Sequence, residues 1–497
     1  MRKFLVMLAL LAVLAFPLIR PSQELAISGS LVINHVTVID LTGSPAQKDM
    51  TVVVSGGRIN EIFPTPDNRF SENARVIDGT GKFLIPGLWD MHVHVLQKRR
   101  LPHTAARFLT NGVTGFRDMG SPPDELAEIP VWRQAIRDGS LLAPRFVAAG
   151  AILDGSPAMF PHLSIGVKDA SEARRAIADL RDYKIDFIKV YTLLSRDAYF
   201  AIADETQKNN LPFAGHVPDS VSAVEASDAG QRSIEHLSGV LLACSTDEDD
   251  LRRRLLEARR AGDAALLHDA LERILTRGAQ TYSQAKAENL FAHFAKNQTW
   301  QTPTLVGLWN PELANRKKPR QPDDLQFNKT PAWFKTQPLF QGQSLLQAQS
   351  LWLDGCCLNA SAENIFSFAG NDKVPEIMQA MHRAGVRFLA GTDAPNLWAQ
   401  PGASLHRELE LFVELGLTPM EALQTATRNP AIYLGLSDSL GTIEQGKIAD
   451  LVLLDENPLD DIRNTRKIAA VMVNGQFFTR AELLARLAEN EANSLAN

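Results

Sequence analysis

Eight short apolar segments of strand character recur between residues 87 and 391, and the stretches between them are patterned as helices. They are 87–89 with its exit to His94, 112–116, 144–149, 186–191, 211–216, 233–236, 301–306 and 386–391. Strands that alternate with helices build βα units and a parallel sheet, which makes this an α/β chain. Eight parallel strands are the number that a closed (β/α)8 barrel, the TIM barrel, requires. The spacing is uneven, with two helical insertions predicted at about 246–296 and 310–369. Leu251, Leu255 and Leu256 in the first lie on plausible apolar stripes. Solvated packing helices and a lid over one face both remain open for these insertions.

The flanks have a different texture. From Ser30 to about Pro86, β-branched runs such as 36–39 and 51–54 alternate with glycine turns, the signature of small antiparallel strands. A similar signal returns at 446–454 and 469–475. The two stretches predict one small β-sandwich built from both ends of the chain, 29–86 with 437–480, around a barrel at 87–436. Arg2 and Lys3 precede an apolar run over 4–19, the pattern of an export signal within residues 1–22 whose cleavage point is not evident. The run falls short of the ~20 residues of a spanning helix. A secreted or periplasmic protein without stable membrane insertion is therefore expected, with an uncleaved N-terminal anchor as the alternative.

Composition narrows the partners. Hydrophobic residues make up 45% and charged residues 22%, which excludes a disordered or polytopic membrane chain. A net charge of −6 gives no general drive toward nucleic acid or anionic lipid, which leaves a small-molecule substrate open, and a homo-oligomer is compatible. Three cysteines, Cys244 and the adjacent Cys356 and Cys357, are too few for a disulfide framework.

The chemistry-bearing residues fall where the strands end. His92 and His94, two apart on an extended segment, point to the same face and can reach one ion. Lys189, His216 and His236 end later candidate strands, and Asp393 follows the last. In a parallel barrel all strand C-termini meet at one rim, so these distant positions converge. Lys189, between Ile188 and Val190, is awkward as a bare buried charge. It either reaches solvent at the rim or is carboxylated to an anionic oxygen ligand. Imidazole and carboxylate donors suit zinc, with manganese, cobalt or iron as alternatives.

This set resembles the amidohydrolase superfamily of metal-dependent hydrolases. The resemblance rests on 86–94 (PGLWDMHVH), 114–120, Lys189, Gly215-His216, Glu235-His236, Gly391-Thr392-Asp393 and 441–451. Lys189 followed by Val190-Tyr191 is most similar to the branch of imidazolonepropionase-related proteins and Xaa-Pro dipeptidases of amidohydrolase type. The resemblance implies two divalent cations, one held by His92, His94 and Asp393 and a second by His216 and His236, bridged by N6-carboxylated Lys189 and a hydroxide. It also implies Asp393 as general base and then acid.

On the substrate side, Tyr191 is a candidate donor to a substrate carbonyl or carboxylate, with rim packing as its other role. His162 is a further candidate contact in the loop after the third strand. His406 is expected to support the loop of the eighth strand, and Arg117 with Asp118 to form an internal ion pair. The leading expectation is an amide hydrolase acting on a dipeptide, Xaa-Pro or related. A cyclic amide, lactone, ester, carbamate or phosphotriester is the alternative within the same chemistry, and a catalytically silent secreted binding protein is the alternative outside it.

Overall fold

The structure, a computed structural model, describes residues 30–65, 74–98, 100–309, 372–396 and 399–496. The expected signal at 1–22 and the second insertion at 310–369 lie outside the described residues. No helix among the described residues is long and apolar enough to cross a membrane.

The chain begins with β1 (Leu31–Val38), β2 (Gln47–Ser55), β3 (Arg58–Pro64), β4 (Arg75–Asp78) and β5 (Phe83–Pro86). The βα region opens with β6 (Leu88–Val93), α1 (Leu101–Thr110), β7 (Val113–Asp118), α2 (Glu128–Arg137), β8 (Arg145–Ala148), β9 (Ile152–Asp154), β10 (Ser164–Gly166) and α3 (Ala170–Arg181). It continues through β11 (Ile188–Val190), α4 (Arg196–Lys208), β12 (Phe213–Gly215), α5 (Ala223–Asp228) and β13 (Ser233–Glu235). The helices α6 (Val240–Cys244), α7 (Glu248–Ala261), α8 (Ala264–Gln280) and α9 (Gln284–Asn297) precede β14 (Trp300–Thr302) and the short α10 (Leu305–Leu308). The last strands are β15 (Leu451–Leu454), β16 (Ile468–Val473) and β17 (Gln476–Thr479).

Strands from both ends share one eight-stranded sheet, in the order β17-β16-β15-β5-β1-β2-β3, with β4 beside β1. Its period-two patterning serves two apolar layers. Leu451 and Leu453 pack with Ile33 and Val52, while Val452 and Leu454 face the large central core. The junction is antiparallel, pairing Phe83 with Leu454 and Pro86 with Leu451.

The middle of the chain is α/β of TIM-barrel type. Parallel strands run in the orders β6-β7-β8 and β10-β9-β11-β12-β13-β14. All six residues of β6 and of β7 are buried, as strands covered on both faces require. The expected eighth strand, 386–391, forms a single bridge, Phe388 to Gln301 of β14, and just beyond it Ala394 bridges Val93 of β6. It forms no continuous ladder because Thr392 and Asp393 both donate to the His92 carbonyl, at 3.3 and 2.7 Å, a two-on-one contact that breaks the register. Gly391 permits this approach, since a Cβ there would lie 2.8 Å from the His92 Cβ.

The expected strand over 301–306 ends at Thr302. Leu305 and Val306 belong instead to α10, whose first N–H groups donate to the Glu408 carboxylate at 2.9 Å each. The first insertion is helical as expected. Leu251, Leu255 and Ala258 form the buried face of α7, and Asp263 caps α8 by accepting from Ala265 and Leu266 N–H.

Candidate metal centre

His92 and His94 leave the end of β6 on one face and meet Asp393 of the 386–394 segment. Asp393 Oδ1 lies 3.3 Å from Nε2 of each histidine. These three residues form a group able to hold a metal ion. The turn that presents Asp393 is clasped to β6 by the buried Asp90, which accepts from Thr392 N (3.0 Å), Thr392 Oγ1 (2.7 Å) and His92 N (3.3 Å). Burial pushes the Asp90 carboxyl up to about 7. Burial also opposes ionisation of Asp393, but the His92 and His94 rings hold it well below the usual carboxylate range.

Behind His92 lies a wholly buried ionic chain. His92 Nδ1 contacts Glu235 Oε2 at 2.8 Å, and Glu235 receives Arg117 Nη2 at 2.9 and 3.0 Å. Arg117 also donates to Met91 O, Ser233 Oγ, Tyr433 Oη and Thr302 Oγ1. Burial works against the Glu235 charge, and Arg117 and His92 outweigh it, leaving the carboxyl far below its ordinary range. The expected Arg117–Asp118 pair is therefore corrected, because Arg117 turns toward Glu235. Asp118 instead accepts from the backbone N–H of Val95 and Leu96 at 2.7 and 2.9 Å, fixing the chain just beyond His94.

His216 and His236 extend the group beyond β12 and β13. The His236 ring lies 4.7 Å from that of His92 and 5.0 Å from that of His216. His236 Nδ1 meets Thr304 Oγ1 at 2.7 Å, and His216 Nδ1 meets Thr192 Oγ1 at 2.8 Å. Burial, reinforced by the neighbouring cationic groups, pushes His216 well below the usual imidazole range and His236 down to about 3. Asp393, His236, Leu237 and Thr304 all adopt positive φ, at 62°, 59°, 51° and 51°. Non-glycine residues held there carry backbone strain, which concentrates at functional sites.

Lys189 projects from β11 among these groups, with Nζ 5.7 Å from the Tyr191 ring centroid. Burial lowers its ammonium to about 8, against the opposing pull of Glu235 and Asp393. The Tyr191 ring tilts over His216 at 4.0 Å. His162 meets the Phe160 ring edge-on at 6.1 Å, and Phe160 in turn packs against Tyr191 at 5.8 Å. His406 is buried and contacts Thr465 Oγ1 at 3.0 Å, so its described partner is not the 386–394 loop.

The donor set fits a cation. The Glu235 carboxylate and the Gly120 carbonyl (3.3 Å) can only accept, which places the protons of His92 and His94 on Nδ1. The Thr304 hydroxyl donates to Pro303 O, leaving its oxygen to accept from His236 Nδ1. The Nε2 atoms of His92 and His94 converge on Asp393 Oδ1, and His92 and His216 Nε2 are buried with no hydrogen-bond partner. A cation held among these imidazole nitrogens and the carboxylate would give each of them a partner.

From this group a cavity of about 370 Å³ runs outward past His216, His236 and Asp393 to the inner faces of α7 and α8.

A family model described as Amidohydrolase family matches residues 83–265 and 342–478. Ochratoxinase of Aspergillus niger is 23% identical over 448 residues, covering 78% of this chain and 73% of that protein. Imidazolonepropionase of Sphingopyxis alaskensis is 42% identical over 91 residues, 18% of this chain and 22% of that protein. Among solved structures, a Xaa-Pro dipeptidase with methionine bound in its active site aligns with a TM-score of 0.62 and 19% identity, over 90% of this chain and 100% of that one. At that identity the likeness shows the fold.

Proposed function

The chain belongs to the amidohydrolase family and is a hydrolase acting on carbon–nitrogen bonds, and on that premise we propose that it cleaves the amide bond of a small, peptide-like substrate, a Xaa-Pro or related dipeptide being the first to test. The observation that carries this reading is the gathering of His92, His94 and Asp393 into one group, with the rings of His216 and His236 beside it and Lys189 projecting among them. In the same reading the two parallel sheets and the 386–394 segment close as one barrel over 87–436. Residues 29–86 and 437–480 form a companion β-domain, and residues 1–22 are an export signal that delivers the protein to the periplasm or beyond.

His92, His94 and Asp393 would hold one divalent cation and His216 with His236 a second, zinc by donor type, with Lys189 able to join both once carboxylated. When bound, such cations lower the pKa of water and polarise the scissile carbonyl. The protein's own residues do the rest. Asp393, ionised and aimed at the histidine cluster, takes the proton of the attacking water and returns it to the leaving nitrogen. Glu235 and Thr304 hold the His92 and His236 rings so that each presents Nε2. Tyr191, over His216 at the cavity wall, is placed to orient the substrate carbonyl or carboxylate.

Metal analysis combined with a turnover screen tests the proposal. Two metal ions per chain and hydrolysis of dipeptides that is abolished in Lys189→Ala are expected. A metal-loaded protein that cleaves lactones or esters but no amide would overturn it.

A further inference from the structure

The cavity beside the histidine cluster is walled on its far side by the helical insertion. Leu255 of α7 and Leu271, Ile274 and Leu275 of α8 line it, facing Leu241 and Leu242 of α6. Its charged lining groups are satisfied by the protein itself. Arg259 Nε donates to Asp219 Oδ2 at 2.9 Å, and Arg252 donates to the carbonyls of Asp219 and Val221 and to Glu248. The far end thus offers apolar surface, with its two arginines already engaged. Its near end is continuous with His216, His236 and Asp393.

We propose that this chamber receives a large apolar substituent, an aromatic ring or a long aliphatic chain, carried next to the scissile amide of the substrate. The inference rests on the amide-hydrolase reading and adds the substrate class. The α7–α8 hairpin is then a specificity element, and the preferred dipeptide or N-acyl compound has a bulky hydrophobic group on one side of the bond. A short substrate would leave the Leu271, Ile274 and Leu275 side chains facing water. Burying a ring against them raises affinity by about tenfold to hundredfold.

The test measures binding and turnover separately on the metal-loaded full chain. Secondary sulfonamides serve as inert amide mimics, with the apolar group growing from methyl through butyl and benzyl to naphthylmethyl on either side of the linkage. Equilibrium affinity is expected to rise at least about tenfold along one of the two series. That rise should shrink in Ile274→Asn, which wets the wall, and invert in Leu275→Trp, which fills the chamber. The second variant keeps the test decisive if the first fails to fold. Affinity that is flat or falling along both series, or a slope untouched by both substitutions, overturns the proposal. Turnover of matching amides is read in parallel. An affinity slope without any amide hydrolysis would sink the amide-hydrolase reading and leave the chamber standing, whereas hydrolysis indifferent to apolar size would do the reverse.

Discussion

Two halves of the histidine cluster are held by different physics. His92 is seated on an ionic chain, Glu235 and then Arg117, in which every side chain is at most 1% exposed. His216 and His236 rest on the neutral hydroxyls of Thr192 and Thr304 and border the open cavity. A buried ion pair tolerates no partial loss, because removing one partner strands the other charge out of water. A threonine hydroxyl can be lost with little more than one hydrogen bond. The first half is thereby a fixed anchor, and the second can adjust at the surface that meets substrate.

Three measurements can break or sharpen that contrast. Asp393 contacts His92 and His94 and lines the cavity with His216 and His236, so Asp393→Asn should have the largest effect, lowering kcat by about 10²–10⁴-fold as expected for loss of a general base. Retention of more than a tenth of the activity would remove Asp393 from its role. Next comes Glu235→Gln, which leaves Arg117 buried without a counter-charge. Denaturant unfolding should show a loss of about 3–5 kcal/mol, with activity falling in step. Thr304→Val should leave unfolding nearly unchanged while weakening metal affinity about 10–100-fold, the usual scale for a group that orients a liganding ring. If Thr304→Val destabilised the fold as much as Glu235→Gln, the two halves would be alike and the contrast would collapse.

A separate test is a pH dependence outside the cluster. Burial raises Glu408 to about 8, against the two backbone N–H groups it accepts. Its folded value lies above its unfolded one, so its contribution to stability is complete below the ordinary glutamate range of about 4.5 and is lost as pH rises through about 8. The melting temperature should decline from pH 5 to pH 8 and then level. Glu408→Gln should flatten that decline, and an unchanged slope would place the titration elsewhere.

The residues at strand ends were legible because apolar runs locate strands and polar residues interrupt them at the rim. Lys189 between Ile188 and Val190 stands out for that reason. Glu235 did not, since it reads as one more polar neighbour of His236. Only the three-dimensional pairing with Arg117, over a hundred positions away in sequence, gives it a task. Thr192 and Thr304 carried even less signal, as threonine is common at strand ends and its hydroxyl finds a partner almost anywhere. The short β9 and β10 also escaped, because three residues are too few to display alternation. The 386–391 run was read as a strand from its apolar content, whereas the double contact of Thr392 and Asp393 with the His92 carbonyl is a property of the assembled neighbours.

The shared terminal sheet sets an order of assembly. β5 finds its antiparallel partner only when β15 exists, and Gly87 N–H, at the entrance to β6, donates to Asp450 O at 2.7 Å. The strand that carries His92 is therefore tethered at its start by residues that leave the ribosome long after it. Pairings this distant in sequence are slow to form, and until they do the edge of β5 is open to other chains. The strand that opens the histidine cluster is thus secured at its start only once residues far downstream have been made.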